Sequence, residues 1–170
     1  MMNRPILLAS LLLAVGSACA QTPPNPLDAI PEKMPFDVPY GNPISLDRAQ
    51  NVLNAALGEA KKHGWKLNCA VVDSGANLVA FQRMDGAQLA SIDISIHKAR
   101  TSAKYRRETK VFEGVIQGGF NYALTLDDII ASRGGIPLLE DGKLVGAIGC
   151  SGGTGSQDEV GSKAGVAALR

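Results

Sequence analysis

The sequence predicts an α+β domain, an antiparallel sheet with helices packed against it. Three observations carry that expectation. Apolar residues recur at helical spacing over 46–60, two pairs of short apolar runs are each joined by turn residues, and helical segments precede, separate and follow those pairs. The resulting order is helix, hairpin, helices, hairpin, helix.

Ser45 is placed to cap the first helix, with Leu46, Ala49, Leu53, Ala56, Leu57 and Ala60 on one face and Gly64 at its end. Leu67 to Val72 has strand length, and Asp73-Ser74-Gly75-Ala76-Asn77 has turn chemistry. Leu78 to Arg83 then returns, so the first hairpin has a loop longer than two residues. Met84-Asp85-Gly86-Ala87 breaks the pattern before a helix from about Leu89 to Tyr105. A short helix over 110–117 ends at Gly118-Gly119. Residues 122–132 are ambiguous, with Thr125-Leu126-Asp127-Asp128 a candidate start for a helical turn through Ile129 and Ile130. Strands over 136–139 and 143–149 meet at Glu140-Asp141-Gly142, where Asp-Gly favours a tight hairpin, and a last helix covers about 156–169.

Residues 1–20 read as an export signal. Arg4 supplies the positive end, Ile6 to Val15 the apolar core, and Ala18-Cys19-Ala20 the small-x-small pattern before cleavage. That predicts a periplasmic or secreted chain cut after Ala20, with a lipid-modified Cys19 as the alternative route. The apolar run is short for a membrane span, so the mature chain is expected to have no transmembrane segment. Residues 21–43 hold seven of the nine prolines and read as a spacer, or as an arm lying on the domain or on a neighbouring subunit. Residues 44–170 form the folded domain. Acidic and basic residues nearly balance, which argues against nucleic acid or another polyanion as a partner. Cys69 and Cys150 each sit in an apolar run; an oxidising compartment permits a disulfide between them, and two separately buried thiols are equally consistent.

The stretch Gly149-Cys150-Ser151-Gly152-Gly153-Thr154-Gly155-Ser156 runs from strand through glycines into a helix start. Ser156 and Glu159 have capping-box spacing. Two readings follow: an anion-binding nest at a helix N-terminus, or a tight turn that binds nothing. No zinc-type Cys/His spacing or His-Glu-x-x-His occurs, and although Gly149-Cys150-Ser151-Gly152-Gly153 has Gly-x-Ser-x-Gly spacing, neither His63 nor His97 is evidently placed to activate Ser151, so no enzyme constellation stands out.

Five blocks occur in order: Val71-Val72-Asp73-Ser74-Gly75, Phe81-Gln82-Arg83-Met84-Asp85-Gly86-Ala87, Lys98-Ala99-Arg100-Thr101-Ser102-Ala103, Gly134-Gly135-Ile136-Pro137 and Gly146 to Thr154. Together they resemble the GlcG/HbpS-like family of haem-binding proteins, related to the C-terminal domain of PduO-type adenosyltransferases. The resemblance implies a profilin-like fold, assembly into homo-oligomers, and a haem ligand in some members. It points to Thr101 as a hydroxyl near iron, with a helix hydroxyl bonded to the preceding turn as the structural alternative. His97, four residues earlier on the same helix face, offers an imidazole ligand, and a surface or subunit-contact histidine is its ordinary role. Lys98, Arg100, Lys104, Arg106, Arg107 and Lys110 form a basic cluster suited to haem propionates or a small carboxylate, or simply a solvated face. With Arg83, Asp85 and the loop Gly152-Gly153-Thr154, that helix is expected to line one shared cleft.

The leading expectation is an exported small-molecule binder, of haem above all, acting in sensing, carriage or storage. An accessory enzyme for a small hydroxy- or keto-acid, or an oligomeric interaction domain without its own ligand, are the alternatives.

Overall fold

The computed structural model describes residues 29–34 and 36–169. It divides into a unit Met1–Met34, whose described residues 29–34 carry no helix or strand, and a compact unit Pro35–Arg170. The expected export signal and the first prolines of the arm lie outside the described residues.

Helix α1 (Leu46–Lys62) starts where the Ser45 side chain accepts the Arg48 N–H. It stops in a Schellman arrangement: Gly64, at φ +70°, donates to Lys61 O while Trp65 donates to Ala60 O. Ala49, Val52, Leu53, Ala56 and Ala60 form its buried stripe, and Leu46, expected on it, is half exposed at the open first turn. Strands β1 (Asn68–Asp73) and β2 (Leu78–Arg83) form the first hairpin, its loop held by Asp73 Oδ1, which accepts the N–H groups of Gly75 and Asn77. Helices α2 (Ala90–Tyr105) and α3 (Thr109–Gln117) follow. Strands β3 (Gly135–Glu140) and β4 (Lys143–Ser151) turn at Asp141-Gly142, both at positive φ, and α4 (Gly155–Ala167) closes the domain. The ambiguous 122–132 stretch is not helical where expected. Its turn is a 3-10 segment at Asn121–Thr125, and Asp128 sits at φ +58°, which stops any helix there.

The four strands pair antiparallel in the order β2-β1-β4-β3. Alternation assigns the two faces. Cys69, Val71, Ile148 and Cys150 join the cluster under α1, while Val72, Ala147 and Leu144 pack with Ala99 and Ala103 of α2. Cys69 and Cys150 oppose each other across β1 and β4 and are joined as a disulfide, so the open question of paired or separate thiols resolves to pairing.

Helix α2 lies unusually close to the sheet because both partners are small. Its buried positions include Ser91, Ser95, Ala99, Ser102 and Ala103. Opposite them sits Gly149, where a Cβ would come 2.2 Å from Ser95 O.

Residues 36–43 belong to the compact unit. Leu144 donates to Pro39 O and Gly41 donates to Leu144 O, a strand-like continuation beside β4, and the Arg107 guanidinium covers the Phe36 ring at 3.1 Å. Of the two readings of the arm, this part lies on its own domain.

Candidate functional site

The β4–α4 loop is built around a carboxylate that the chain supplies itself. Thr154, not Ser156, is the N-cap. Its Oγ1 accepts the Gln157 N–H and Gln157 Oε1 accepts the Thr154 N–H, a capping box two residues earlier than the spacing of Ser156 and Glu159 suggested. Glu159 has another role: it takes Lys163 at 2.6 Å, Lys110 at 3.2 Å and Arg133 at 3.6 Å. Burial alone would raise the Glu159 carboxyl, but the hydrogen bonds from Lys163 and Lys110 hold it below the ordinary range.

Gly153 N–H, which a nest would aim outward, donates to Asp158 Oδ1 at 3.0 Å. Asp158 Oδ2 in turn accepts Lys98 Nζ at 2.8 Å, and that ammonium also donates to Cys150 O. Both side chains are buried, Lys98 at 1% exposure and Asp158 at 3%. Burial pushes the Asp158 carboxyl above its ordinary value, against the pull of Lys98 and the Gly153 N–H. Lys98 is therefore no part of a basic surface, and the Gly153 and Thr154 N–H groups are already engaged within the chain.

The outer flank of α2 is different. Thr101 is fully buried, and its hydroxyl donates to Asp128 O at 2.6 Å and accepts the Ile130 N–H. That hydroxyl pins the irregular 126–131 segment across the helix. One turn earlier, His97 lines a cleft of 370 Å³ with Leu78, Asp93, Ile96, Arg100 and Asp128. His97 Nε2 is buried and has no hydrogen-bond partner. A polar atom removed from water without a partner is uncommon, because its desolvation goes uncompensated. Asp128 stands between the two expected residues: its backbone serves Thr101 and its side chain lines the His97 cleft. Its carboxyl sits below the ordinary range because Lys104 hydrogen-bonds to it, with His97 and Arg100 adding to the effect.

The expected basic cluster is dispersed. Lys104 pairs with Asp128, Lys110 with Glu159, Arg106 donates to Val38 O, and Arg107 lies over Phe36. Of that set only Arg100 is exposed without an ion pair among the described residues, and it is the one at the cleft.

Arg83 and Asp85 line a second hollow, of 460 Å³, with Lys61, Gly64, Trp65, Lys66 and Met84. Leu78 borders the first cleft and Arg83 the second, at opposite ends of β2 and roughly 17 Å apart along the strand. The residues expected to share one cleft therefore divide between two separate hollows. The glycine loop lines neither hollow; Gly152 packs on the backbone before β1, where a Cβ would meet Lys66 O at 2.4 Å. His63 is structural here, bonded to Glu59 and stacked on Trp65 with ring centroids 4.4 Å apart. Leu78, Ile96, Trp65 and Lys66 escaped the sequence reading because none belongs to a motif.

A family model described as haem degrading protein HbpS-like matches residues 44–167. The chain belongs to the HbpS-like family. Among curated proteins this HbpS-like chain is similar to protein GlcG of Escherichia coli (strain K12), at 39% identity over 108 residues covering 64% of this chain and 81% of GlcG. Among solved structures it is similar to PduOC in a complex with haem, at 26% identity and TM-score 0.69, covering 74% of this chain and 94% of that one. A double mutant of HbpS from Streptomyces reticuli gives 26% identity and TM-score 0.71, covering 84% and 97%. The α+β fold expected from the sequence is the fold of these relatives.

Proposed function

We propose that this chain is an exported haem-binding protein, acting in sensing, carriage or storage, and that haem occupies the His97 cleft. The observation that carries the reading is the buried, unpartnered His97 Nε2 in a cleft where Leu78 and Ile96 stand among the charged Asp93, Arg100 and Asp128. A neutral imidazole nitrogen is a common haem-iron ligand. Leu78 and Ile96 offer apolar surface to a macrocycle, and the unpaired Arg100 suits a propionate. Haem when bound would supply a redox-active iron. Thr101, the other residue the resemblance offered, has its hydroxyl engaged with Asp128 and Ile130, so it supports the cleft wall. The PduOC complex with haem supports the choice of ligand. Export is supported by the signal-like residues 1–20 and by the Cys69–Cys150 disulfide, a bond that persists in oxidising compartments. The cleft is shallow for a porphyrin, which favours a homo-oligomer in which a second copy covers the exposed face.

The test is a haem titration of the mature protein. Saturable Soret development at about one haem per chain, abolished in His97→Ala and kept in Thr101→Ser, supports the assignment. Unsaturable adsorption, or an unchanged spectrum in His97→Ala, refutes it.

A further inference from the structure

The hollow at the other end of β2 has no part in that reading, and its chemistry is distinct. Three cations converge on it: Lys61, Lys66 and Arg83. None forms an ion pair among the described residues, whereas Arg48, Lys98, Lys104, Arg133 and Lys163 each reach a carboxylate. The one acid beside them, Asp85, is likewise unpaired, so the rim keeps an excess of positive charge.

The floor is apolar and held in place. Trp65 is stacked on His63, which is itself anchored by Glu59. Met84 Sδ accepts the Leu67 N–H at 3.5 Å, which fixes the thioether against the start of β1. Lys66 Nζ lies over the bare backbone of Gly86, where a Cβ would come within 3.0 Å of it. A flat indole face, a thioether and a rim of unpaired cations are complementary to an anion with a flat apolar body. The guanidinium fork favours carboxylate over a spherical anion.

We propose that this hollow is a second ligand site, separate from the His97 cleft, which takes a small aromatic carboxylate: the ring on Trp65 and Met84, the carboxylate between Lys66 and Arg83. Lys61 adds field at the rim. Asp85 opposes the bound charge and excludes dianions from its side. The site does not depend on haem occupying the other cleft.

Trp65 is the only tryptophan of the chain, so its fluorescence reports this hollow alone. The experiment titrates full-length mature protein with benzoate at low ionic strength, with benzyl alcohol as the neutral control. Saturable quenching by benzoate is expected, at about tenfold higher affinity than for benzyl alcohol, the worth of one charge-assisted contact. Lys66→Ala/Arg83→Ala weakens benzoate at least about tenfold, Asp85→Asn tightens it, and His97→Ala leaves it unchanged. Absence of saturation, equal response to benzyl alcohol, or full retention in the double variant overturns the proposal. Should the double variant unfold by circular dichroism, Asp85→Asn decides: tighter binding supports the site, and unchanged or weaker binding overturns it. Because His97→Ala abolishes the Soret signal and spares this one, failure of either site is read separately.

Discussion

Replacing Lys98 by methionine removes one charge from a pair that is almost entirely out of water. Lys98 and Asp158 are 1% and 3% exposed and 2.8 Å apart, with only the glycine-loop N–H groups left to solvate the carboxylate once the ammonium is gone. Breaking such a pair costs about 3–5 kcal/mol, because the remaining charge is stranded. Against a total stability of about 5–15 kcal/mol that is a large fraction. For a domain of this size it lowers Tm by about 10–20 °C. Asp158 then becomes the titrating group. Its folded carboxyl already lies above the ordinary 3.8, and losing Lys98 raises it further. An acid with a raised folded pKa makes the folded state the better proton binder, so stability grows as pH falls toward the unfolded value. Lys98→Met is therefore expected to recover stability as pH falls through the raised folded pKa of Asp158 toward the ordinary 3.8, and to recover at all pH values when combined with Asp158→Asn, which keeps an acceptor for Gly153 without the charge. Urea denaturation of the four proteins of the cycle measures this. A single-variant loss below about 1 kcal/mol, or a double variant no more stable than Lys98→Met, would refute the reasoning.

Two further outcomes follow from the same structure. The Glu113 carboxyl sits below its ordinary 4.5 because Arg133 hydrogen-bonds to it, so its contribution is present above that value and lost as pH falls through the folded pKa. Glu113→Gln should thus be less stable than the parent at pH 7, with the difference shrinking toward pH 3 as measured by denaturant midpoints at each pH. Cys69 and Cys150 are separated by 81 residues and fully buried. Cys69→Ala/Cys150→Ala should therefore cost about 2–5 kcal/mol in thermal unfolding, while the folded parent resists dithiothreitol until denaturant is added.

Local signals were legible in the sequence and long-range ones were not. Ser45, Gly64 and Asp141-Gly142 act through neighbours within a few residues, and each sits where its chemistry suggested. The capping box was displaced by two residues because both Thr154-x-x-Gln157 and Ser156-x-x-Glu159 satisfy the local rule. The choice falls to tertiary partners: Glu159 is taken by Lys110, Lys163 and Arg133, from α3, α4 and the loop before β3. Lys98 reads as one more cation on a basic helix until β4 and α4 place Cys150 O and Asp158 over it, 52 and 60 residues away. Thr101 was expected near iron or bonded to the preceding turn, but the partners of its hydroxyl lie 27 and 29 residues on, in a segment with no periodicity to predict its path. The helix-to-sheet approach at Gly149 was equally hidden, since a glycine in a strand signals closeness without naming what approaches.

The most direct measurement on the central claim is chemical rescue at position 97. His97→Gly opens room for a diffusible ligand in the same cleft. Reconstitution of that variant with haem should give a weak, shifted Soret band that returns to the parent spectrum when imidazole is added. A parent-like spectrum before imidazole, or no recovery after it in a variant shown to be folded, contradicts the assignment of the iron to His97.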